Sequence, residues 1–213
     1  MKTPDLIKNL SGQLREFRQA DGLPAFLAKW SLGAAFVFGF VLCVLPFRQD
    51  LALKIGQPRF LLESALWLGA AVASAIIVYR SAIPGLLKRG DERWAYFLFA
   101  ALSFAVLARF SPKGIEADFL GEMDLYRGRC GPLILVAGAL GAGAFLGWVR
   151  RSAPTRLSIT GAWISVCSGC LGAFAIQFVC AHENALHFLI WHFTPVALLS
   201  FAGLSIGSRL LRW

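Results

Sequence analysis

The chain has 213 residues, of which 57% are hydrophobic and only 15% charged, with a mean hydropathy of +0.64 and 18 Phe. Such a chain cannot turn a polar surface to water on all sides, which excludes an ordinary soluble domain and puts it in lipid. Its formal charge of +9 comes without any basic run carrying interleaved aromatics, so membrane topology and anionic lipid account for it and direct nucleic-acid binding is not expected.

The opening segment, "MKTPDLIKNLSGQLREFRQADG", offers Thr3 as an N-cap, Pro4 at the first helical position and Asp5 in the first turn, and it stops at Asp21-Gly22. These signals predict a short helix. Leu6, Ile7, Leu10, Leu14 and Phe17 recur at spacings of three and four and share one face, while Lys8, Arg15, Glu16 and Arg18 fall mostly elsewhere. Such a stripe must be covered, either by the inner leaflet under an interfacial helix or by the groove of a soluble partner, and the residues leave both open. No cleaved leader is expected, because the first apolar run begins only near Trp30 with no small-residue cleavage site before it. The expected organisation is a cytoplasmic segment, 1–29, followed by a single membrane domain, 30–213.

Six runs lack Asp, Glu, Lys and Arg: 30–47, 64–79, 94–108, 130–149, 157–182 and 184–208. Each is read as one helix, giving an all-α integral membrane protein with a bundle of six transmembrane helices. A span takes roughly 20 apolar residues, so the second and third runs are short and need flanking arginines to snorkel. A period-2 pattern of the kind a closed barrel needs is missing. With both termini in the cytoplasm, fourteen Lys and Arg fall on the inner side and seven on the outer, which satisfies the positive-inside rule. The run "GALGAGAFLG", Gly138 to Gly147, is expected to serve close helix packing. Cys43 is expected in the core, and Cys167 and Cys170, "CSGC", fall in mid-helix at bilayer depth, where a thioredoxin-type reading is weak.

The chemistry gathers on the outer side. Between the third and fourth runs, Glu116, Asp118, Glu122 and Asp124 match no calcium loop and read as a solvated segment. Cys130 opens the fourth helix, and "VCAHENALHFLIWH", Val179 to His192, joins the fifth to the sixth. The topology therefore puts Cys130 and Cys180 at the same face from different hairpins. An oxidising compartment permits a disulfide there, worth roughly 4 kcal/mol for a loop of about fifty residues. The alternative is a soft metal held transiently by Cys130, Cys180, His182 and His187, with no resident cofactor. His192 reads as a helix-packing residue. P-loop, nucleophile-elbow, HExxH and dinucleotide signatures do not occur.

Across its whole length the chain resembles the six-helix inner-membrane anti-sigma factors of the NrsF type, negative regulators of sigma F. The likeness rests on "MKTPDLIKNL", "DLALKIGQPRFLLESAL", "AIPG", "RGRCG", "VCAHENALHFLIWH" and the terminal "GSRLLRW". The resemblance implies a bacterial inner-membrane protein whose N-terminal segment sequesters an extracytoplasmic-function sigma factor, with the outer cysteines, Cys130 and Cys180, taking part in sensing. It implies no catalysis and no small-molecule substrate. The rival expectations are a membrane thiol oxidoreductase working through Cys167/Cys170 and Cys130/Cys180, and a small transporter; the spans carry little of the midplane polarity that transport requires.

Overall fold

The structure is a computed structural model that describes residues 22–88, 90–107, 129–152, 154 and 156–212. The stripe residues Leu6, Ile7, Leu10, Leu14 and Phe17 and the acidic segment around Glu116 lie outside the described residues. Among the described residues every regular element is helical. They run α1 (Leu23–Val44), α2 (Leu51–Ile55), α3 (Pro58–Ala82), α4 (Arg93–Leu107), α5 (Cys130–Val149) and α6 (Leu157–Gln177). A short α7 (Ala185–His187) then passes through a π-helical turn, Phe188–Phe193, into α8 (Thr194–Leu210).

Proline sets several of these boundaries. Pro24, Pro58 and Pro195 sit in the first turns of α1, α3 and α8, where the missing N–H costs nothing. Pro46 and Pro84 follow the extended residues Leu45 and Ile83 that stop α1 and α3. Each of the six charge-free runs falls largely on helix among the described residues, but the charges did not mark the ends. α1 begins at Leu23, so the expected boundary between residues 29 and 30 falls inside a helix. Lys29 does not interrupt it because its ammonium lies over the Trp148 ring, 5.4 Å from the centroid. Similarly, α3 takes in Arg59, Glu63 and Arg80 and reaches 25 residues.

Among the described residues five helices are long and apolar enough to cross a membrane: α1, α3, α5, α6 and the continuous Ala185–Leu210 stretch. Five of the six expected runs therefore carry helices of spanning length among the described residues, and the third run carries the apolar α4. The outward faces carry Leu32, Trp94, Phe104 and Phe201, each at least 70% exposed, a pattern suited to lipid and costly in water.

α6 is the hub, buried along nearly all its length against α8, α3, α5 and α1. Its approach to α8 depends on glycine. A Cβ on Gly161 would strike the Gly203 carbonyl and stand 2.7 Å from Gly207 Cα, so the two backbones touch at a small-residue crossing. In the Gly138–Gly147 run, Gly138 and Gly141 pack tightly, against Leu199, Gly169, Val37 and Ser168. Gly143 and Gly147 do not, because they face open space beside α1. Cys43 also departs from expectation: it is exposed near the end of α1 rather than in the core. α1 buries only a narrow stripe, Phe26, Val37 and Val41, and residue 43 lies off it.

Candidate functional site

The ends of α1, α3, α5 and α6 that carry Arg48, Pro58, Cys130 and Gln177 share one end of the bundle. There the connection after α6 folds back over the others, and Asn184 caps α7 by accepting a hydrogen bond from Leu186 N at 2.9 Å. Cys130 is the first residue of α5, and beside it Gly131 leaves room for Trp191, whose ring would stand 2.8 Å from a Cβ there. Cys180 Sγ lies 3.3 Å from His187 Nε2. The donor atoms of Cys130, Cys180, His187 and His192 all fall within 4.8 Å of one another, and all four residues are buried.

The π-helical turn explains how two histidines of one element meet the same pair of thiols. In an α-helix residues five apart point about 140° apart, whereas a π turn closes i→i+5 and stacks them. His187 and His192 are five apart, and their ring centroids are 5.4 Å apart. Phe188 stacks on His192 at 4.5 Å and closes the apolar side. The wider turn is supported locally, since the Thr194 hydroxyl donates to the Leu189 carbonyl at 3.0 Å.

The pair expected to converge, Cys130 and Cys180, does so, and His187 joins it. His182 is not the fourth donor. It is half-buried with its ring 4.9 Å from that of His187, and the place in the cluster belongs to His192, which the helical spacing had consigned to packing. Cys167 and Cys170 stay apart. Cys170 lies about 10 Å along the α6 axis from Gln177, and Cys167 is held in the core by a Trp30 indole donor at 3.4 Å and by its own contact to the Ala71 carbonyl at 3.4 Å.

A charged clamp fixes Cys180. The buried Arg48 guanidinium donates to the Cys180 carbonyl at 2.9 Å, to both Asp50 oxygens at 2.6 and 2.8 Å, and to Glu183 at 2.9 Å. Lys54 adds a second cation on Glu183 at 2.6 Å. The backbone joins in, with Arg48 N–H donating to the Phe178 carbonyl at 3.0 Å. The connection after α1 is thus latched to the connection after α6. The Arg48 hydrogen bonds hold the Asp50 carboxyl below the usual carboxylate range. At Glu183 burial opposes ionisation, but the Lys54 and Arg48 hydrogen bonds outweigh it and the group is also held low. The Cys180 thiol is held below the ordinary cysteine value, first by a hydrogen bond from Cys130, against the burial that opposes ionisation, and then by His187 and His192.

A family model described as negative regulator of sigma F, NrsF, matches residues 10–213. The chain belongs to this family. An NrsF chain is a negative regulator of a sigma factor, and a sigma factor is accordingly its partner. Neither the curated proteins nor the solved structures contain a match to the chain. In this NrsF member, sequence reasoning missed Arg48, Asp50 and Lys54, although Asp50 and Lys54 lie in the "DLALKIGQPRF" block on which the likeness partly rests and Arg48 stands two residues before it. Their signal was a cation and an acid two residues apart just after a span; nothing local tied them to Glu183, 135 residues away.

Proposed function

We propose that the chain is a bacterial inner-membrane anti-sigma factor that holds an extracytoplasmic-function sigma factor at its cytoplasmic N-terminal segment and releases it when Cys130 and Cys180 meet an oxidant or a thiophilic metal. What carries the reading is the convergence of these two cysteines, from separate connections, in one buried cluster at one end of a bundle that belongs to a family of sigma regulators. The fourteen-to-seven split of basic residues supports a topology with that end in the periplasm and both termini in the cytoplasm. An oxidant would take two electrons and two protons from the pair and leave a disulfide; a metal would displace the protons instead. Either event favours one arrangement of the bundle over another, and a coupling of about 1–3 kcal/mol changes sigma affinity roughly 5- to 150-fold. The role is non-enzymatic. Cys167 and Cys170 are buried within the packing of α6, which supports a structural part for them.

Co-purification of the full-length protein in detergent with each extracytoplasmic-function sigma factor of its host tests the reading. One sigma factor should be retained by the reduced protein. Leu10→Asp or Leu14→Asp should abolish retention, because a charge in the apolar stripe loses several kcal/mol on burial, while Arg15→Ala should matter much less. Retention by both Leu variants would reduce the stripe to a membrane anchor and move the partner contacts to the basic connections at Arg80 and Arg150.

A further inference from the structure

Two thiols would suffice for a disulfide, yet four donors converge. The Cys130 and Cys180 sulfurs and one ring nitrogen each of His187 and His192 come within 4.8 Å of one another. A tetrahedral ion with sulfur near 2.3 Å and nitrogen near 2.0–2.1 Å spaces its ligands about 3.3–3.8 Å apart. The four atoms need to close by only about an ångström to reach that geometry.

Charge and chemistry narrow what would fit. Around the cluster the ion pairs among the described residues, Arg48 and Lys54 with Asp50 and Glu183 and Arg59 with Glu63, are balanced, and Arg129 adjoins Cys130 at the start of α5; two thiolates buried together would bring two negative charges. A divalent cation would neutralise them. Among the described residues no carboxylate belongs to the donor set, which disfavours hard magnesium and calcium, while two thiolates with two imidazoles suit zinc and its softer congener cadmium. All four positions would be filled by protein, the arrangement of a closed site without an open place for a reacting water. The adjoining cavity, lined by Gln177, Cys180 and His192, measures about 20 Å³, room for about one water and not for an organic ligand.

We propose that Cys130, Cys180, His187 and His192 form a closed four-ligand site for a zinc-type divalent cation, with His192 supplied by the π-helical turn. This deepens the proposed function, resting on it only in that occupancy would be the signal. His182 is outside the ligand set. Arg48, bound to the Cys180 carbonyl, is a positioning residue that holds one sulfur in register.

The test uses the full-length, reduced, metal-free protein in detergent micelles, titrated with Co(II) and with Cd(II). One ion per chain is expected, with the intense visible bands of tetrahedral cobalt and a thiolate-to-cadmium charge-transfer band. Cys130→Ser and Cys180→Ser should each remove the charge-transfer intensity. His187→Ala and His192→Ala should each weaken cobalt binding roughly tenfold or more, the scale on which even outer-shell losses register, and His182→Ala should leave it unchanged. X-ray absorption of the unmutated protein keeps the proposal falsifiable if a histidine variant fails to fold: two sulfur and two nitrogen neighbours are expected. Absence of binding, a sulfur-only shell, or full affinity in both histidine variants would overturn it. Sigma retention by the metal-free protein separates the readings: retention without cation binding sinks this site alone, and cation binding without retention sinks the proposed function.

Discussion

At the scale of single residues, the site places its weight on two thiols that arrive from different parts of the chain. Cys130→Ser and Cys180→Ser should impair the response of a sigma-dependent reporter to oxidant or cadmium about equally. The double variant should be no worse, since groups acting as one unit are not additive. Cys167→Ser should do little, because its contacts to Trp30 and Ala71 are packing contacts; a lost response there would revive a second thiol pair. Glycine offers a sharper structural contrast. Gly161→Ala would drive a Cβ into the backbone of α8, and backbone cannot swing aside, so a loss of about 1–3 kcal/mol is expected. Gly143→Ala meets nothing within 4 Å and should be neutral or stabilising by about 0.5–1 kcal/mol from helix propensity alone. Thermal unfolding of the two variants in the same detergent checks the pair.

At the scale of elements, the π-helical turn and the Arg48 latch do the positioning. A π turn amounts to one residue inserted into an α-helix, so removing one should restore α spacing without rotating α8. Deleting Leu189, which is 42% exposed, would leave the two histidines four apart, still on one face. Cobalt binding and the reporter response should survive that deletion. Adding an alanine after Leu189 instead sets them six apart and should abolish both. If the deletion is as harmful as the insertion, the π geometry has a role beyond placing His192. The latch makes a different demand. Arg48→Leu leaves the Cys180 carbonyl without its buried donor at a cost of about 1–3 kcal/mol, and it releases the connection after α1 from Glu183. Faster alkylation of Cys180 by a water-soluble maleimide is the expected outcome, and an unchanged rate would mean that the backbone link from Arg48 to Phe178 holds the connection by itself.

At the scale of the whole molecule, the thiol cluster and the sigma-binding segment are proposed to lie on opposite sides of the membrane, joined by helices of which α6, with 21 residues, is roughly 30 Å long. α6 is packed on every side, and its glycine crossing with α8 gives the two helices a backbone-to-backbone contact near the far end. A change in how α8 leaves the π turn can therefore reach that end as a rigid shift. The orientation has its own test. A reporter fused after Trp213 should be active only in the cytoplasm, and one inserted near Glu116 only in the periplasm. The reverse pattern would put Cys130 and Cys180 in a reducing compartment and remove disulfide formation from the mechanism.

Apolar runs and the blocks around Cys130 and Cys180 were enough to read an all-helical, membrane-suited chain, its likeness to the sigma regulators and the convergence of the two thiols. Those properties are written in local periodicity and in the alternation of topology, which a linear pattern carries. Helix ends were not legible from charge, because Lys29 and Glu63 find Trp148 and Arg59 and so remain inside helices. The exchange of His182 for His192 was not legible either, since an α-helical wheel turns residue 192 away from residue 187 and only the π turn brings it back. The latch from Arg48 to Glu183 and Cys180 was beyond reach for a related reason: it is a long-range pairing of charges, and its partners become neighbours only after α1 and α6 have packed side by side.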